Sequence, residues 1–350
     1  MSMDLSPAFS ERNVAVFSAS DEAFALYCGV MLHSVISHAS PEWNYDLIVL
    51  EDGVSQDNQQ RIIRLGEGKP NVSIRFFNMS SLLRGRHFPL AEGYTVATWF
   101  RIFAPFIFQR YEKIVYLDAD VVVLDDVAKL YHESIGDCWL AGCTDVGVCG
   151  DVECTDSHEY YRDYLGVNDL RDYVNGGVLV FHIALMNQHG VGEQCLQEAL
   201  LRNFRHQDQD TLNYVCRGHI CMLDSVWNAF PARGFERYLS PELHRFWTEK
   251  KASPKIVHFI GMKPWVDPLS DMAFYWWEQA HATPFYEEVA HRNLLALMRN
   301  MVNYARNYRR YWGYRLLSHL TFGALHERFK ARKRLLRRML KRTRSLLDEA

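Results

Sequence analysis

Two aspartates interrupt the most apolar stretch of the chain, KIVYLDADVVVL at residues 113–124. Asp118 and Asp120 stand one residue apart, and side chains at this spacing on an extended segment point to the same side. Side by side, two carboxylates repel each other. A hard divalent cation accepts oxygen ligands from both of them, and open coordination positions on it can take diphosphate oxygens. The alternative is that the two acids cap a following turn or helix, a common use of Asp.

A histidine and a lysine of suitable chemistry follow far downstream in KIVHFIGMKPW, residues 255–265. The imidazole of His258 can complete a ligand set begun by two carboxylates. Gly261 allows a backbone to approach a phosphate closely, and Lys263 supplies a point charge for it. Taken singly, His258 also suits a satisfied histidine at the rim of a sheet, and Lys263 a solvated surface charge.

A third polar cluster is HQDQDTLN, residues 206–213. Asp208, Gln209 and Asp210 place acceptors and an amide together, which suits a polyhydroxylated ligand. The same residues also predict the start of a helix, with Asp208 as its cap and Asp210 in its first turn. The two interpretations are compatible.

Apolar strands alternate with helical patterns along the chain, which predicts parallel βαβ units in an open sheet with helices on both faces. An Asn-Gly-Gly turn is expected to lead into the strand at 173–183. Ligands of such sheets lie beyond the carboxyl ends of the strands, which predicts that residues 18–21 and 118–120 share one rim. The predicted strands are residues 13–20, 45–52, 72–79, 113–124, 173–183 and 255–261, and the predicted helices are residues 24–39, 57–68, 95–108 and 192–204.

Composition narrows the class of protein. The apolar fraction of 48% in 350 residues is ordinary for a globular chain with a full core. The eight cysteines contain no CxxC pair, so the spacing of a zinc site is absent and reduced thiols are expected. The first residues lack a signal-peptide pattern, and no run of eighteen apolar residues occurs. We therefore expect a cytoplasmic protein.

The charge is strongly uneven along the chain. Residues 299–350 contain 15 Lys or Arg and three acidic residues, a net charge of +12. Because the net charge of the whole chain is −3, residues 1–298 carry a net charge of −15. In addition, Leu325, Phe329, Leu336, Leu340 and Leu347 recur at helical spacing, and Phe322, Met339 and Leu346 widen the stripe. This pattern is typical of an amphipathic basic helix.

Such a helix suits the surface of an anionic membrane, and the aromatic residues at 303–317 suit headgroup depth. A helix packed on the body and a nucleic-acid patch are the alternatives. We favour the membrane, through residues 299–347, and expect no nucleic acid. Domains are predicted at residues 1–285 and, for the helical basic and aromatic tail, at 286–350.

Five segments together resemble the family 8 glycosyltransferases over residues 13–270. In order along the chain, they are FSASDE, YLDADVVVLDD, NGGVLVF, HQDQDTLN and HFIGMKPW. The family includes bacterial lipopolysaccharide galactosyl- and glucosyltransferases. The resemblance implies an α/β GT-A fold, a Rossmann-like mixed sheet with helices on both faces. It also implies a UDP-hexose donor, Mn²⁺ or possibly Mg²⁺, and retention of the anomeric configuration.

The resemblance also implies roles for individual residues. Asp118, Asp120 and His258 would be the metal ligands. The expected donor contacts, from uracil and ribose through the diphosphate to the transferred sugar, are Ala19, Asp21, Arg101, Asp118, Ala119, Asp120, Asp145, Asn175, Gly261 and Lys263. The expected catalytic residues are Asp208 and Gln209. The chain departs from the family at SASDE, where a pattern like AADDN is common.

These implications predict a hexosyltransferase peripheral to the inner face of the cytoplasmic membrane. Its acceptor would be a lipopolysaccharide core, a similar glycolipid or an oligosaccharide. Because the resemblance places the amide Gln209 nearest the reacting face, attack from the leaving-group face is expected rather than a covalent intermediate. The alternatives are a transferase acting on another glycan or a protein, and a catalytically silent, membrane-anchored protein that binds sugar nucleotides.

Overall fold

The computed structural model describes residues 5–91, 94–155, 157–320 and 323–348. The strands are β1 (Asn13–Ser20), β2 (Asn44–Glu51), β3 (Val72–Asn78), β4 (Ile114–Leu117), β5 (Val121–Val123), β6 (Leu140–Thr144), β7 (Val174–Phe181), β8 (Ile220–Met222) and β9 (Ile256–His258). The α-helices are α1 (Ala25–Ser37), α2 (Gln56–Ile63), α3 (Ser80–Leu83), α4 (Ala104–Ile107), α5 (Val127–Tyr131), α6 (Val146–Thr155), α7 (Ile183–Gln188), α8 (Val191–Leu201), α9 (Gln207–Val215), α10 (Pro241–Ala252), α11 (Ala273–His281), α12 (Tyr286–Leu320) and α13 (Gly323–Asp348).

Short 3-10 turns and one π-helical turn complete the secondary structure. The 3-10 turns are Arg64–Gly66, Val96–Phe103, Leu170–Asp172, Ser225–Asn228 and Phe235–Tyr238, and the π-helical turn is Tyr160–Tyr164.

Seven strands form one sheet in the order β3-β2-β1-β4-β7-β6-β8. The first four are parallel, because helices return the chain to the same edge after β1 and β2. β7 then runs antiparallel to both β4 and β6. The sheet is therefore mixed, as predicted, and its parallel part dominates.

Two apolar clusters cover the two faces of this sheet. Along β1, Val14 and Val16 point into the cluster that contains α1 and α11. Ala15 and Phe17 point to the opposite face, where α8, α9 and the 3-10 turn Val96–Phe103 pack. The alternation follows the two-residue period of a strand that is buried on both sides. The prediction of helices on both faces is confirmed.

Two predicted elements differ from the structure. The stretch at 113–124 is not one strand, because the chain turns at residues 118–120 and β5 leaves the main sheet to pair with β9. The Asn175-Gly176-Gly177 sequence is not a turn, because all three residues lie inside β7, and it is buried throughout. The two glycines are instead required by close packing, because Arg101 lies against Gly176 and His258 lies against Gly177.

The C-terminal helices begin close against the body. Glu288 of α12 forms an ion pair with Arg61 at 3.1 Å, and the Asn293 amide donates to the Trp265 carbonyl at 2.8 Å. Farther along, α13 packs against α12, with the rings of Tyr314 and Phe329 5.8 Å apart. The division into domains at residue 285 stays a prediction.

Candidate active site

Asp118, Asp120 and His258 meet at the corner where β4 gives way to β5. The backbone holds this corner from two sides, since the Asp118 N–H donates to the Gly177 carbonyl at 2.8 Å and the Phe259 N–H to the Asp120 carbonyl at 3.1 Å. One ligand atom from each of the three side chains lies within 4.8 Å of the others. The sequence-predicted metal ligands are therefore brought together.

The orientation of the His258 ring is set by Asn228. Nδ1 of His258 lies 3.0 Å from the Asn228 side-chain oxygen, so Nδ1 carries the proton. Nε2 then faces the carboxylates, 3.3 Å from Asp120 and 3.6 Å from Asp118. Two carboxylate oxygens and one imidazole nitrogen form a donor set that suits Mn²⁺, and Mg²⁺ is compatible with the two oxygens. The residues present fit the implied metal.

The glycines of β7 make room for this arrangement. A β-carbon on Gly177 would lie 2.0 Å from Cε1 of His258 and 2.8 Å from an oxygen of Asp118. A β-carbon on Gly176 would lie 2.8 Å from Arg101. Any side chain at either position would occupy the space of a site residue.

Lys263 lies on the other side of Asp120. Its ammonium group contacts the Asp120 carboxylate and donates to the Phe259 carbonyl at 2.8 Å. Burial raises the pKa of Asp120, but the charge of the Lys263 ammonium group and the neighbouring His258 outweigh burial and hold that pKa well below its usual range. Asp120 is therefore an anion over the physiological pH range.

A cleft of about 350 Å³ opens in front of these residues. Its floor is the carboxyl end of β1 and the β4–β5 corner, as the rule for open α/β sheets predicts. The sequence-predicted residues that line it are Ala19, Asp21, Arg101, Asp118, Ala119, Asp120, Gly261 and Lys263.

Arg101 joins the metal corner to Asp208. Its Nη2 lies 2.9 Å from Asp118 and its Nε 2.7 Å from Asp208, and the guanidinium stacks 4.3 Å from the centre of the Tyr116 ring. Burial lowers the pKa of Arg101, but Asp118 and Asp208 outweigh it and raise that pKa above its usual range. Arg101 is a permanent cation at the back of the cleft.

Asp145, Asn175 and Gln209 lie behind the cleft wall in one hydrogen-bond network. The Gln209 side-chain oxygen accepts from the Gly176 N–H at 2.7 Å and from Asn175 at 3.2 Å. Its amide nitrogen donates to Asp145 and to the Tyr173 hydroxyl, both at 3.0 Å. The amide is thus held in one orientation from both ends.

Asp208 is buried beside this network. Its second oxygen accepts from the Thr98 hydroxyl at 2.7 Å. Burial raises the pKa of Asp208 to about 6, although Arg101 and Thr98 act in the opposite direction. Asp208 is not the helix cap that the sequence suggests as an alternative, because His206 occupies that position of α9.

Comparison with known proteins identifies the family. The sequence profile described as glycosyl transferase family 8 matches residues 15–268, well over half of the chain. The chain belongs to glycosyl transferase family 8. It is therefore a glycosyltransferase, and the resemblance seen in the sequence is confirmed.

Curated relatives of this transferase are distant. General stress protein A of Bacillus subtilis is 24% identical over 271 residues, covering 71% of this chain and 86% of that protein. Lipopolysaccharide 1,3-galactosyltransferase of Salmonella typhimurium is 23% identical over 254 residues, covering 70% of this chain and 71% of that enzyme.

Solved structures share the fold of the transferase. The bifunctional glycosyltransferase WbbM superposes with a TM-score of 0.77 at 27% identity, covering 83% of this chain. The transferase spans 53% of the WbbM chain. The galactosyltransferase LgtC, solved with donor and acceptor sugar analogues, superposes with a TM-score of 0.63 at 25% identity, covering 77% of this chain and 96% of that one. The transferase therefore has the GT-A architecture.

Several residues at the site of the transferase escape sequence reasoning. Asn228 lies in SVWNAF, where no motif marks it, and the Tyr116 hydroxyl, inside an apolar strand, donates to Asp118 at 2.6 Å. Phe24 and Thr98 line the cleft as well. Only the glycine pair in NGG carried a signal, because adjacent glycines in a buried strand indicate close approach.

At SASDE, where the sequence departs from the common family pattern, the structure shows what the differing side chains contact. Ser20 lines the cleft, where the family pattern has Asp. Glu22 instead turns toward α2, where it accepts from the Ser55 N–H at 2.8 Å and from the Asn58 amide at 2.9 Å. In this transferase, Glu22 fixes the start of α2.

Proposed function

We propose that this chain is a retaining, Mn²⁺-dependent hexosyltransferase that moves a hexose from a UDP-sugar to a lipopolysaccharide core or a similar glycolipid. The observation that carries the proposal is the convergence of His258 with Asp118 and Asp120, two carboxylates that line a cleft together with Lys263. That combination of acids, imidazole and ammonium suits a metal-bound diphosphate.

The residues along the cleft support one orientation of the bound sugar nucleotide. Asp21 and Ala19 end β1 and suit a ribose hydroxyl and a flat base, whereas Lys263 and Gly261 suit phosphate oxygens. A divalent cation held by Asp118, Asp120 and His258 would stabilise negative charge that develops on the diphosphate. Lys263 contributes to the same stabilisation by its own charge.

The buried network at the far end supports retention without a covalent intermediate. Gln209 is neutral and both ends of its amide are engaged, which favours electrostatic stabilisation of a cationic sugar centre over nucleophilic attack. Asp208 has one oxygen on Arg101 and the other on Thr98. An acceptor hydroxyl therefore attacks on the face that the diphosphate leaves.

The C-terminal helices suit a lipid-linked acceptor on the inner face of the cytoplasmic membrane. Part of the predicted apolar stripe packs on protein, since Leu336 is buried and Phe329 is half-buried against α12. Exposed apolar side chains remain along α12 and α13, among them Met301, Trp312 and Leu325. Phe322 lies outside the described residues, as do the side chains of Met339, Leu346 and Leu347.

Among the described helices, none combines the length and mean hydropathy needed to cross a bilayer. We place the proposed attachment in the membrane interface, through the aromatic and basic faces of α12 and α13.

A donor screen tests the proposal. Purified protein is incubated with UDP-glucose, UDP-galactose or UDP-N-acetylglucosamine and Mn²⁺, and release of UDP is measured with and without EDTA. One donor is expected to be hydrolysed in a metal-dependent manner, and NMR of the first-formed product reports its anomeric configuration. Absence of hydrolysis and of transfer to a lipopolysaccharide preparation would favour a silent binding protein. Transfer to another glycan or to protein, but not to lipopolysaccharide, would replace the acceptor.

A further inference from the structure

An exposed arginine, Arg233, reaches the mouth of the cleft from the loop that follows Ser225–Asn228. A β-carbon built on Gly261 would lie 1.9 Å from Nη2 of Arg233 and 2.2 Å from its Cζ. Gly261 has a φ of +77° and lines the cleft together with Lys263. The guanidinium therefore packs on the backbone that borders the proposed diphosphate position.

The backbone of this loop is fixed by two carboxylates. The Ala232 N–H donates to Asp271 at 2.6 Å. The N–H groups of Arg233 and Gly234 both donate to Glu236, at 3.1 and 2.6 Å. These hydrogen bonds fix the backbone at Arg233, so the point from which its side chain extends toward the cleft is fixed as well.

The loop is also held from beneath by apolar packing. Phe230 and Phe235 are buried with Trp247 in a small cluster, and the Trp247 indole donates to the Phe230 carbonyl at 3.0 Å. The rings of Phe230 and His258 pack in a T-shaped arrangement, with ring centres 5.8 Å apart. The loop and the proposed metal site therefore belong to one packed unit.

Arg233 differs from the other cations near the cleft in what its donors contact. Arg101 is committed to two carboxylates, and Lys263 to Asp120 and a carbonyl. Within the part of the chain that the structure describes, Arg233 forms no ion pair. Because a guanidinium offers five donors in a planar fork that matches phosphate oxygens, an unpaired one at this position is suited to bind them.

We infer that Arg233 is a phosphate-binding residue of the donor site, contacting the diphosphate of the sugar nucleotide from the side of Gly261. The inference rests on the proposed function, because it takes the diphosphate to lie against Gly261 and Lys263. It adds a cation that does not come from any segment resembling the family.

Calorimetric titration of the Mn²⁺-loaded protein with UDP and with uridine tests the inference. Arg233→Ala is expected to weaken UDP binding about 10- to 100-fold, as expected for loss of a charge-assisted hydrogen bond, and to leave uridine binding unchanged. Arg233→Lys is expected to be intermediate. Arg237→Ala is the matched control, because it removes the same charge from the adjacent 3-10 turn Phe235–Tyr238, where Arg237 donates to the Gly234 carbonyl at 2.7 Å.

The outcomes separate this inference from the proposed function. Wild-type affinity for UDP in Arg233→Ala, with loss of affinity in Lys263→Ala, would overturn the role of Arg233 and leave the donor assignment standing. Equal weakening of UDP and uridine would also overturn it, because the cleft as a whole would then be disturbed. Failure of the wild-type protein to bind UDP would overturn both. Circular dichroism of each variant checks that it is folded.

Discussion

Gly177 lies so close to His258 that a β-carbon on the glycine would be 2.0 Å from Cε1 of the imidazole. The glycine belongs to β7 of the main sheet and the histidine to β9 of the two-stranded sheet. Their contact means that the position of the imidazole depends on the absence of a side chain in a neighbouring sheet.

Gly177→Ala is therefore expected to lower the affinity for Mn²⁺ by at least about tenfold, since the imidazole must leave its position. Calorimetric titration with Mn²⁺ measures this effect. Gly66→Ala is the matched control, because a β-carbon there meets Val72 at an ordinary 3.5 Å. Unchanged Mn²⁺ affinity in Gly177→Ala would contradict the assignment of His258 as a ligand.

Asn228→Ala removes the group that orients His258. We expect a 10- to 100-fold loss of Mn²⁺ affinity, roughly the range for partners of metal-bound histidines. Titration of Mn²⁺ followed by electron paramagnetic resonance provides the measurement. Asn71→Ala, which removes hydrogen bonds to the carbonyls of Ser40 and Trp43, is the control. Equal affinities in the two variants would show that Asn228 does not orient the ligand.

The double change Asp118→Asn and Asp120→Asn is expected to abolish metal-dependent turnover while the fold is retained. Amides are poorer ligands than carboxylates for a hard divalent cation, and they leave its charge uncompensated. Donor hydrolysis with Mn²⁺ is the assay, and circular dichroism reports the fold. Near-normal activity of the double variant in the presence of EDTA would refute the metal assignment.

Asp208 is expected to make stability depend on pH in a defined direction. Its pKa of about 6 lies above the ordinary 3.8, so the folded protein binds more protons than the unfolded chain between these values. The stabilisation from this carboxyl is therefore present at low pH and is lost as pH rises through about 6, by about 2 to 3 kcal/mol.

Urea unfolding of the wild type and of Asp208→Asn at pH 4 and pH 7 measures the effect. The other titratable groups contribute equally to the pH dependence of the unfolding free energy in both proteins, so their contribution cancels in the comparison. The wild type is expected to lose more unfolding free energy than Asp208→Asn between the two pH values. Parallel pH profiles would show that the Asp208 pKa is not raised.

Membrane attachment is tested by flotation with vesicles containing phosphatidylglycerol. The full chain is expected to float and a chain ending at residue 298 is expected not to. A full-length variant with Arg309, Arg310 and Arg337 changed to Gln is expected to float less, because each basic residue near an anionic surface contributes about 1 kcal/mol. Equal flotation of the full and shortened chains would refute the attachment.

The sequence predicts the sheet and the rim well, because both depend on local patterns. The alternation of apolar residues along β1 and the helical periodicity of α1 are visible without tertiary information. The ends of β1 and β4 could be assigned to one rim because parallel strands end at one edge. The other segments could be assigned to the same site because the five together resemble a family.

What escaped prediction depends on contacts between distant segments. The break at Asp118–Asp120 requires β9 as a partner for β5, and the sequence of either strand alone is compatible with one long strand. The same holds for Asn228, whose role arises only when its amide meets His258. The apolar stripe on α13 is a different case, because its helical periodicity is visible in the sequence but cannot distinguish packing on α12 from contact with lipid.

The separation of β4 from β5 means that the metal ligands are distributed across a seam. Asp118 follows a strand of the seven-stranded sheet, whereas Asp120 and His258 adjoin the β5–β9 pair. Relative movement of these two units would change the distances among the three side chains without altering any of them. Substitutions deep in the apolar layer between the two units, far from any ligand, are therefore expected to change the affinity of the three side chains for a divalent cation.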